Sequence, residues 1–240
     1  MTDTQTPGAQ TPPLGTVLFQ NAGTGDSGVF TGNPCTLAPY TTTAATNDSF
    51  CTVTYKSATP TVDSITAAYT PTDDVHLGSQ TAAPLLLVFF DASGSFVTGG
   101  GTIDVLAGSY TAGLTLSGRA NFGFVSKYQK GAPVPDGQTE FQFQVANFNF
   151  HSESYQWLVV AGAKAQYKGT GTTNGASGYS FMLTATDSAI NGGGTSDSFR
   201  IKVWNTATGV VVFDNRMGGS DDLSASPTEP ISSGSIVIHK

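Results

Sequence analysis

The chain has 240 residues and a formal net charge of −7; 11% of its residues are charged and 38% are hydrophobic. A disordered chain is usually rich in charged residues and poor in hydrophobic ones, and a nucleic-acid-binding protein is usually basic. Neither class is therefore expected. The longest apolar run, residues 85–90, is far shorter than the roughly 20 residues of a membrane-spanning helix, so we expect no membrane insertion.

Residues 1–13 are polar and rich in Pro, Thr and Gln. They lack the basic start and the apolar core of a signal peptide. We interpret them as a flexible amino-terminal tail, and we expect the chain to be a fragment of a longer exported protein.

Apolar and polar residues alternate with the period of two that is typical of half-buried strands, whereas no stretch of a dozen residues has helical periodicity. The alternating runs begin near Cys51, Ile65, Phe122, Phe141, Tyr155, Phe181 and Phe199. In one of them, Tyr155, Trp157 and Val159 share a parity. The alternation changes phase near Ala146 and Asn147, which predicts a β-bulge. The pattern as a whole predicts an all-β protein with antiparallel sheets.

Charge and turn residues indicate two domains. Residues 1–91 carry seven Asp and one Lys, whereas residues 92–240 carry ten acidic and nine basic residues. The polar segment 91–94 follows the apolar run 85–90. We therefore place one domain at 14–91 and a second at 95–240.

The first domain resembles the bacterial Ig-like repeats of large surface and secreted proteins. The resemblance is carried by residues 15–19 (GTVLF), 51–55 (CTVTY) and 65–79, where Tyr69 ends a strand, acidic residues follow and His76 precedes a Ser. It implies an Ig-like β-sandwich that acts as a spacer or adhesion module.

The second domain is similar to a β-rich carboxy-terminal domain of large exported bacterial proteins. The similar stretches are 96–103 (FVTGGGTI), 120–125 (ANFGFV), 139–143 (TEFQF), 179–185 (YSFMLTA), 199–204 (FRIKVW) and 211–215 (VVFDN). The resemblance implies an extracellular or cell-surface location and no known activity. We expect a larger antiparallel β-sandwich here, with a jelly roll as one form.

Cys35 and Cys51 are the only cysteines, and both fall in the first domain. In a β domain rich in Gly, Thr and Ser, two cysteines favour one disulfide in an oxidising compartment; two buried free thiols are the alternative. A zinc site is not expected, because only His76 accompanies them.

Five acidic residues fall in or near loops of the second domain: Asp187, Asp197, Asp214, Asp221 and Asp222. Oxygen-rich loops of extracellular β domains can bind calcium, so these residues are candidates for a structural Ca²⁺ site, although no Asp-x-Asp-x-Asp loop occurs. Asp221 and Asp222 otherwise form a solvated turn. No other cofactor is expected.

His151 lies beside Ser152 and Glu153, a combination that could act in nucleophilic catalysis. No Gly-x-Ser-x-Gly nucleophile motif accompanies it. We predict no catalytic residue and expect that the protein is not an enzyme.

Residues 199–204 predict an aromatic and basic strip. If Ile201 and Val203 face the core, then Arg200, Lys202 and Trp204 face outward. An outward Trp flanked by cations can stack on a sugar ring or anchor a partner protein. The alternative is that a loop or the other domain covers this face.

These features predict a non-catalytic extracellular or cell-surface module for spacing, adhesion or assembly, with the second domain as its docking or ligand-binding end. The expected partners are other protein modules, copies of itself or a surface glycan. Two alternatives stay open. The Trp204 strip favours a carbohydrate-binding accessory module of a larger hydrolase. The tail at 1–13 favours a self-assembling structural protein of a filament or virion, since a terminal segment can add a strand to a neighbouring sheet.

Overall fold

The computed structural model describes residues 11–23, 28–40, 48–91, 95–224 and 229–239. Within these residues the chain forms β-strands and one short 3₁₀ helix, and no α-helix, so the all-β prediction is confirmed. The predicted tail lies outside the described residues except for 11–13. The predicted boundary at 91–94 lies outside them except for Asp91.

The chain divides into two compact units. The first unit is built from residues up to 58 together with 63–87, and the second unit from 59–62 together with 88 onwards. The first nine strands are β1 (Gly15–Asn21), β2 (Val29–Thr31), β3 (Cys35–Thr36), β4 (Ala38–Pro39), β5 (Ser49–Phe50), β6 (Thr54–Lys56), β7 (Thr61–Pro71), β8 (Ser79–Gln80) and β9 (Leu85–Phe89).

The first unit is organised around the antiparallel pair of β1 and β7, in which Val17 lies opposite Tyr69. Strands β3, β8 and β9 complete this sheet, and β2–β6 and β4–β5 form two small sheets. Val17 and Tyr69 are buried together with Cys35 and Leu37. A disulfide joins Cys35 to Cys51, with 5.8 Å between their Cα atoms, so the predicted pairing is confirmed.

The second unit is a single large antiparallel sheet. Its strands are β10 (Phe96–Val105), β11 (Gly118–Tyr128), β12 (Pro135–Phe143), β13 (Phe148–Ala161), β14 (Lys164–Thr173), β15 (Ala176–Thr186), β16 (Ser198–Asn205), β17 (Val211–Asp214), β18 (Glu229–Pro230) and β19 (Ser233–His239). Strands β10 to β17 neighbour one another in chain order, β18 pairs with β16, and β19 pairs with β10. This order is that of a meander, so the jelly-roll form is wrong for this unit.

Aromatic side chains from distant strands meet in the core of this sheet. The rings of Phe122 and Phe199 lie 4.2 Å apart, and those of Phe141 and Phe213 lie 4.8 Å apart. Strands β11 and β12 therefore face β16 and β17 across the core, as the two layers of a sandwich do. Each fully buried Phe contributes about 1.5–3 kcal/mol through removal of apolar area from water.

The phase change near Asn147 is a hairpin turn, and the predicted bulge at that position is wrong. A 3₁₀ helix (Gln144–Ala146) joins β12 to β13, and Asn147 after it has φ 48° and ψ 38°, the left-handed region. Bulges occur later in β13, between Ser152 and Ser154 and between Tyr155 and Trp157. The second bulge changes the face to which the following residues belong. Tyr155 therefore contacts Tyr167 in the core, whereas Trp157 lies on the outer face.

Candidate ligand-binding face

The outer face of β13–β16 carries both tryptophans of the chain. Trp157 pairs with Lys168, Lys168 with Met182, and Met182 with Lys202, so these residues form one row across four strands. Paired residues in an antiparallel sheet project from the same face. Trp204 lies two positions beyond Lys202 on β16 and shares that face. We call Trp157, Lys168, Met182, Lys202 and Trp204 the tryptophan face.

Two lysine ammonium groups lie near the indole ring of Trp204. The ammonium groups of Lys168 and Lys202 are 5.6 and 5.9 Å from the centre of its indole ring. Both distances are close to the limit of about 6 Å for cation–π attraction. Trp157, Trp204 and both lysines are partly exposed. The structure thus brings the predicted residues Lys202 and Trp204 together and adds Trp157 and Lys168 to them.

Arg200 also lies on the outer face, but the prediction that it is exposed is wrong. Its side chain is only 1% exposed. Its guanidinium donates to both carboxylate oxygens of Asp214, at 2.9 and 2.7 Å, and to the backbone carbonyl oxygens of Ser220 and Gly219. The reason is a covering loop, residues 215–224, that lies over this part of the sheet. The alternative of a covered face therefore holds for Arg200 and fails for Trp204.

Two carboxylates keep the buried guanidinium charged. Burial by itself lowers the pKa of Arg200, but the hydrogen bonds and charge of Asp214, together with Asp221, raise the pKa above its ordinary value. Asp221 lies 3.2 Å from Arg200 and 2.6 Å from the ammonium of Lys202. The ion pairs therefore hold the covering loop against β16.

The covering loop also contacts β14 through backbone carbonyl groups. Gln166, fully buried on the outer face, donates its amide N–H to the carbonyl oxygen of Asp221 at 3.0 Å. Lys164 donates to the carbonyl oxygens of Leu223 and Ser224 at 3.2 and 3.1 Å. Burial lowers the pKa of Lys164, and the charge of Asp222 opposes that effect. These contacts cover one end of β14–β16 and leave the tryptophan face at the margin of the loop.

Lys168 differs from the other cations of this face in its lack of a carboxylate partner among the described residues. Arg200 and Lys202 are paired with carboxylates, whereas none of the carboxylates in the described ranges lies within ion-pair distance of Lys168. The tryptophan face therefore presents one ammonium group that no acidic side chain of that part of the chain neutralises.

The five acids of the calcium prediction fall into two separate groups. Asp197 and Asp187 accept the backbone N–H groups of Ile236 and Ile238 on β19, at 2.7 and 3.0 Å. Their carboxylates thus occupy donors that an edge strand otherwise leaves open. The remaining three acids, Asp214, Asp221 and Asp222, lie at the end of β17 and in the covering loop. Across the described ranges, no three His, Cys, Asp or Glu side chains are arranged to hold a metal ion.

A concave region away from the tryptophan face lies between the loop after β10 and the start of the covering loop. It has a volume of about 450 Å³ and is lined by residues 106–109, 215–219 and Glu229. Its charged side chains, Arg216 and Glu229, pair with each other. The tryptophan face is the stronger candidate, because Lys168 there has no carboxylate partner within the described ranges.

Sequence reasoning missed Trp157 and Lys168 as members of the site. Simple alternation put Trp157 on the same face as Tyr155, and only the bulge in β13 separates the two. Lys168 could have been placed from the alternation in β14. It is an even-numbered residue like Lys164 and Gln166, so it lies on the face opposite to the buried Tyr167. The neighbourhood of Lys168 and Trp204 depends on the pairing of three strands.

Comparison of the chain with protein-family models, with curated proteins and with solved structures finds no match. The part of the chain that the structure describes contains no helix of sufficient length and apolarity to cross a membrane.

Proposed function

We propose that the chain is a non-catalytic extracellular or cell-surface module for spacing, adhesion or assembly, and that its second unit is the docking or ligand-binding end. One observation carries the proposal: two partly exposed tryptophans share one face of the sheet with a lysine that has no carboxylate partner in the described part of the chain. The Cys35–Cys51 disulfide supports an extracellular location, because such bonds persist in oxidising compartments.

The composition of the tryptophan face supports binding more than simple spacing. Aromatic side chains that keep one surface open to water are typical anchors of binding sites, since they bury a large area with little loss of conformational freedom. The covering loop hides Arg200 and Gln166 on the same face yet leaves Trp157 and Trp204 partly open. A carbohydrate-binding accessory module is the second candidate, and the same face favours it, because indole rings stack on sugar rings.

The experiment compares the full chain with Trp204→Ala and with Leu114→Ala as a control. Leu114 is 60% exposed and lies outside the tryptophan face, so its loss removes an exposed apolar group elsewhere. Binding is measured on immobilised bacterial surface polymers and on a polysaccharide panel, with light scattering and negative-stain imaging of the same samples.

We expect a monomer that binds at least one polymer, with binding lost in Trp204→Ala and kept in Leu114→Ala. Equal binding by all three proteins would overturn docking through this face. Filaments or a defined oligomer that disappear when residues 1–13 are removed, and persist in Trp204→Ala, would favour the self-assembly alternative instead.

A further inference from the structure

We infer that the tryptophan face binds an acidic polysaccharide that runs across strands β13 to β16. This inference rests on the proposed docking role and names the chemistry of the ligand. It depends on three observations: the separation of the two tryptophans, the unneutralised charge of Lys168, and a row of hydroxyl groups beside them.

The separation of the tryptophans indicates a polymer. Trp157 is on β13 and Trp204 is on β16, so three strand spacings lie between them, about 14 Å along the sheet. That separation of the two backbones favours a ligand longer than a single sugar ring. A chain of several sugars that crosses the strands can stack on one tryptophan at each end of the face.

The charge of the face indicates an acidic group on that polymer. Lys168 pairs with Trp157 in the row, its ammonium group lies 5.6 Å from the centre of the Trp204 ring, and it has no carboxylate partner among the residues with described positions. A carboxylate or sulfate of the ligand would form a charge-assisted hydrogen bond with its ammonium group. The nearby carboxylates of Asp214 and Asp221 are already paired with Arg200 and Lys202, so they offer little repulsion.

Hydroxyl groups beside the tryptophan face suit a sugar. The Ser154 and Thr170 hydroxyl oxygens are 2.7 Å apart, and those of Ser180 and Thr206 are 2.8 Å apart. Ser180, which is itself buried, pairs with Trp204 across β15 and β16, and Thr170 pairs with Ser180 across β14 and β15. The partly exposed Thr170 therefore lies in the same cross-strand row as Trp204. Hydroxyls both donate and accept hydrogen bonds and can exchange partners with the hydroxyl groups of a polysaccharide.

A nucleic acid is the less suitable polymer. Its affinity comes from several phosphate contacts with Lys and Arg, whereas this face offers one unneutralised ammonium group on a chain of net charge −7. Most of that negative charge resides in residues 1–91, which carry seven Asp and one Lys. An acidic sugar chain needs fewer ionic contacts, because stacking supplies part of its affinity.

The test uses four polymers and the full chain. Polygalacturonate and heparin are acidic polysaccharides with carboxylate and sulfate groups; methyl-esterified polygalacturonate keeps the sugar rings and loses the charge; polyglutamate keeps the charge and has no sugar ring. The variants are Trp157→Ala, Trp204→Ala and Lys168→Gln. Lys127→Gln is the matched control, because Lys127 is an exposed lysine of the same sheet, on β11.

We expect binding to at least one acidic polysaccharide, weakened roughly tenfold by each tryptophan variant, the size of one lost aromatic contact. Lys168→Gln should weaken binding and reduce its salt dependence, and Lys127→Gln should leave both unchanged. Thermal unfolding of each variant verifies that the fold is intact. The polysaccharide with the higher affinity identifies the acidic group.

Three results would overturn the inference. Equal affinity for polygalacturonate and its methyl ester, together with no effect of Lys168→Gln, would exclude an acidic ligand. In that case a strong effect of Trp204→Ala would still support docking through this face. Equal affinity for polyglutamate would exclude a sugar. No effect of Trp157→Ala would exclude a ligand that spans the face. Failure of the proposed function itself would be recognised separately, by a Trp204→Ala variant that binds every partner as the original chain does.

Discussion

Replacement of Arg200 should strongly destabilise the second unit. Arg200 has one of the largest fully buried side chains among the described residues, and it carries a permanent charge. It donates four hydrogen bonds, two to Asp214 and one each to the carbonyl groups of Ser220 and Gly219. Arg200→Met removes these bonds and leaves the buried carboxylate of Asp214 without its counter-ion.

The expected loss is large because the remaining charge stays buried. Removal of one partner of a buried ion pair costs about 3–5 kcal/mol. Total stabilities of folded domains are about 5–15 kcal/mol, so one substitution removes a substantial share. Asp214→Asn should act in the same direction. The double variant should be less unstable than the sum of the two losses, by about 1–3 kcal/mol, because it leaves neither charge unpaired.

Urea unfolding followed by tryptophan fluorescence is a suitable assay. Trp157 and Trp204 both belong to the second unit, and the chain has no other tryptophan, so the signal reports on that unit. With a slope of about 2 kcal/mol per molar urea, the midpoint should fall by roughly 2 M. Arg119→Met is the matched control, because Arg119 and its partner Asp104 are both exposed.

A small effect would refute this account of the covering loop. Exposed ion pairs contribute about 0–1 kcal/mol, which is the loss expected for Arg119→Met. If Arg200→Met lost no more than the control, the guanidinium would not be desolvated and the loop would not cover it. Additive losses in the double variant would show that Arg200 and Asp214 are not coupled.

Three further predictions concern an acid, the disulfide and a turn. Burial raises the pKa of Asp197, but hydrogen bonds from the N–H groups of Ser188 and Ile236 and from the Ser188 hydroxyl outweigh it and lower the pKa overall. The Asp197 carboxylate therefore stabilises the fold above its unfolded pKa of about 3.9, and this stabilisation is lost as the pH falls through the folded pKa. Asp197→Asn should lower the urea midpoint at neutral pH and make the decline of the midpoint in acid less steep. Replacement of Cys35 and Cys51 by Ala should destabilise the first unit by about 3 kcal/mol, measured by hydrogen exchange in β1 and β7. Asn147→Ala should cost about 1 kcal/mol and Asn147→Gly almost nothing in urea unfolding, because φ is 48° there.

Each of these predictions has an outcome that contradicts it. A parallel shift of the urea midpoint at every pH would show that the Asp197 carboxylate does not titrate against β19. Unchanged exchange rates after removal of both cysteines would show that the disulfide does not constrain the first unit. Equal stability of the Ala and Gly variants at position 147 would show that the turn does not require the left-handed conformation.

Much of the fold follows from local patterns in the sequence. The alternation in residues 199–204 places Phe199, Ile201 and Val203 inside, and the structure buries all three. The same alternation puts Lys202 and Trp204 on the opposite face, where the structure has them. Period-two patterns are reliable here because each strand buries one face, and a shift by one residue would move its apolar set into water.

The pattern fails wherever an insertion interrupts the strand. An extra residue in β13 separates Tyr155 from Trp157, and a 3₁₀ turn before Asn147 replaces the predicted bulge. The extra residue in β13 leaves no mark in the alternation, because Tyr155, Trp157 and Val159 share a parity, whereas the turn before Asn147 appears as a shift in parity. Whether an interruption is a turn or a bulge depends on the partner strand.

The sequence by itself determined the all-β class and the orientation of residues within uninterrupted strands, and it favoured the pairing of the two cysteines over two free thiols. Only the tertiary structure decided that Arg200 is buried, that Lys168 lies beside Trp204 and that Trp157 shares their face. The physical reason is the sequence separation of the residues that contact one another. Alternation is a property of neighbouring residues, whereas the burial of Arg200 requires Asp214, Ser220 and Gly219, which lie 14 to 20 residues away. Contacts of that kind form only when strands pair and a loop closes over them.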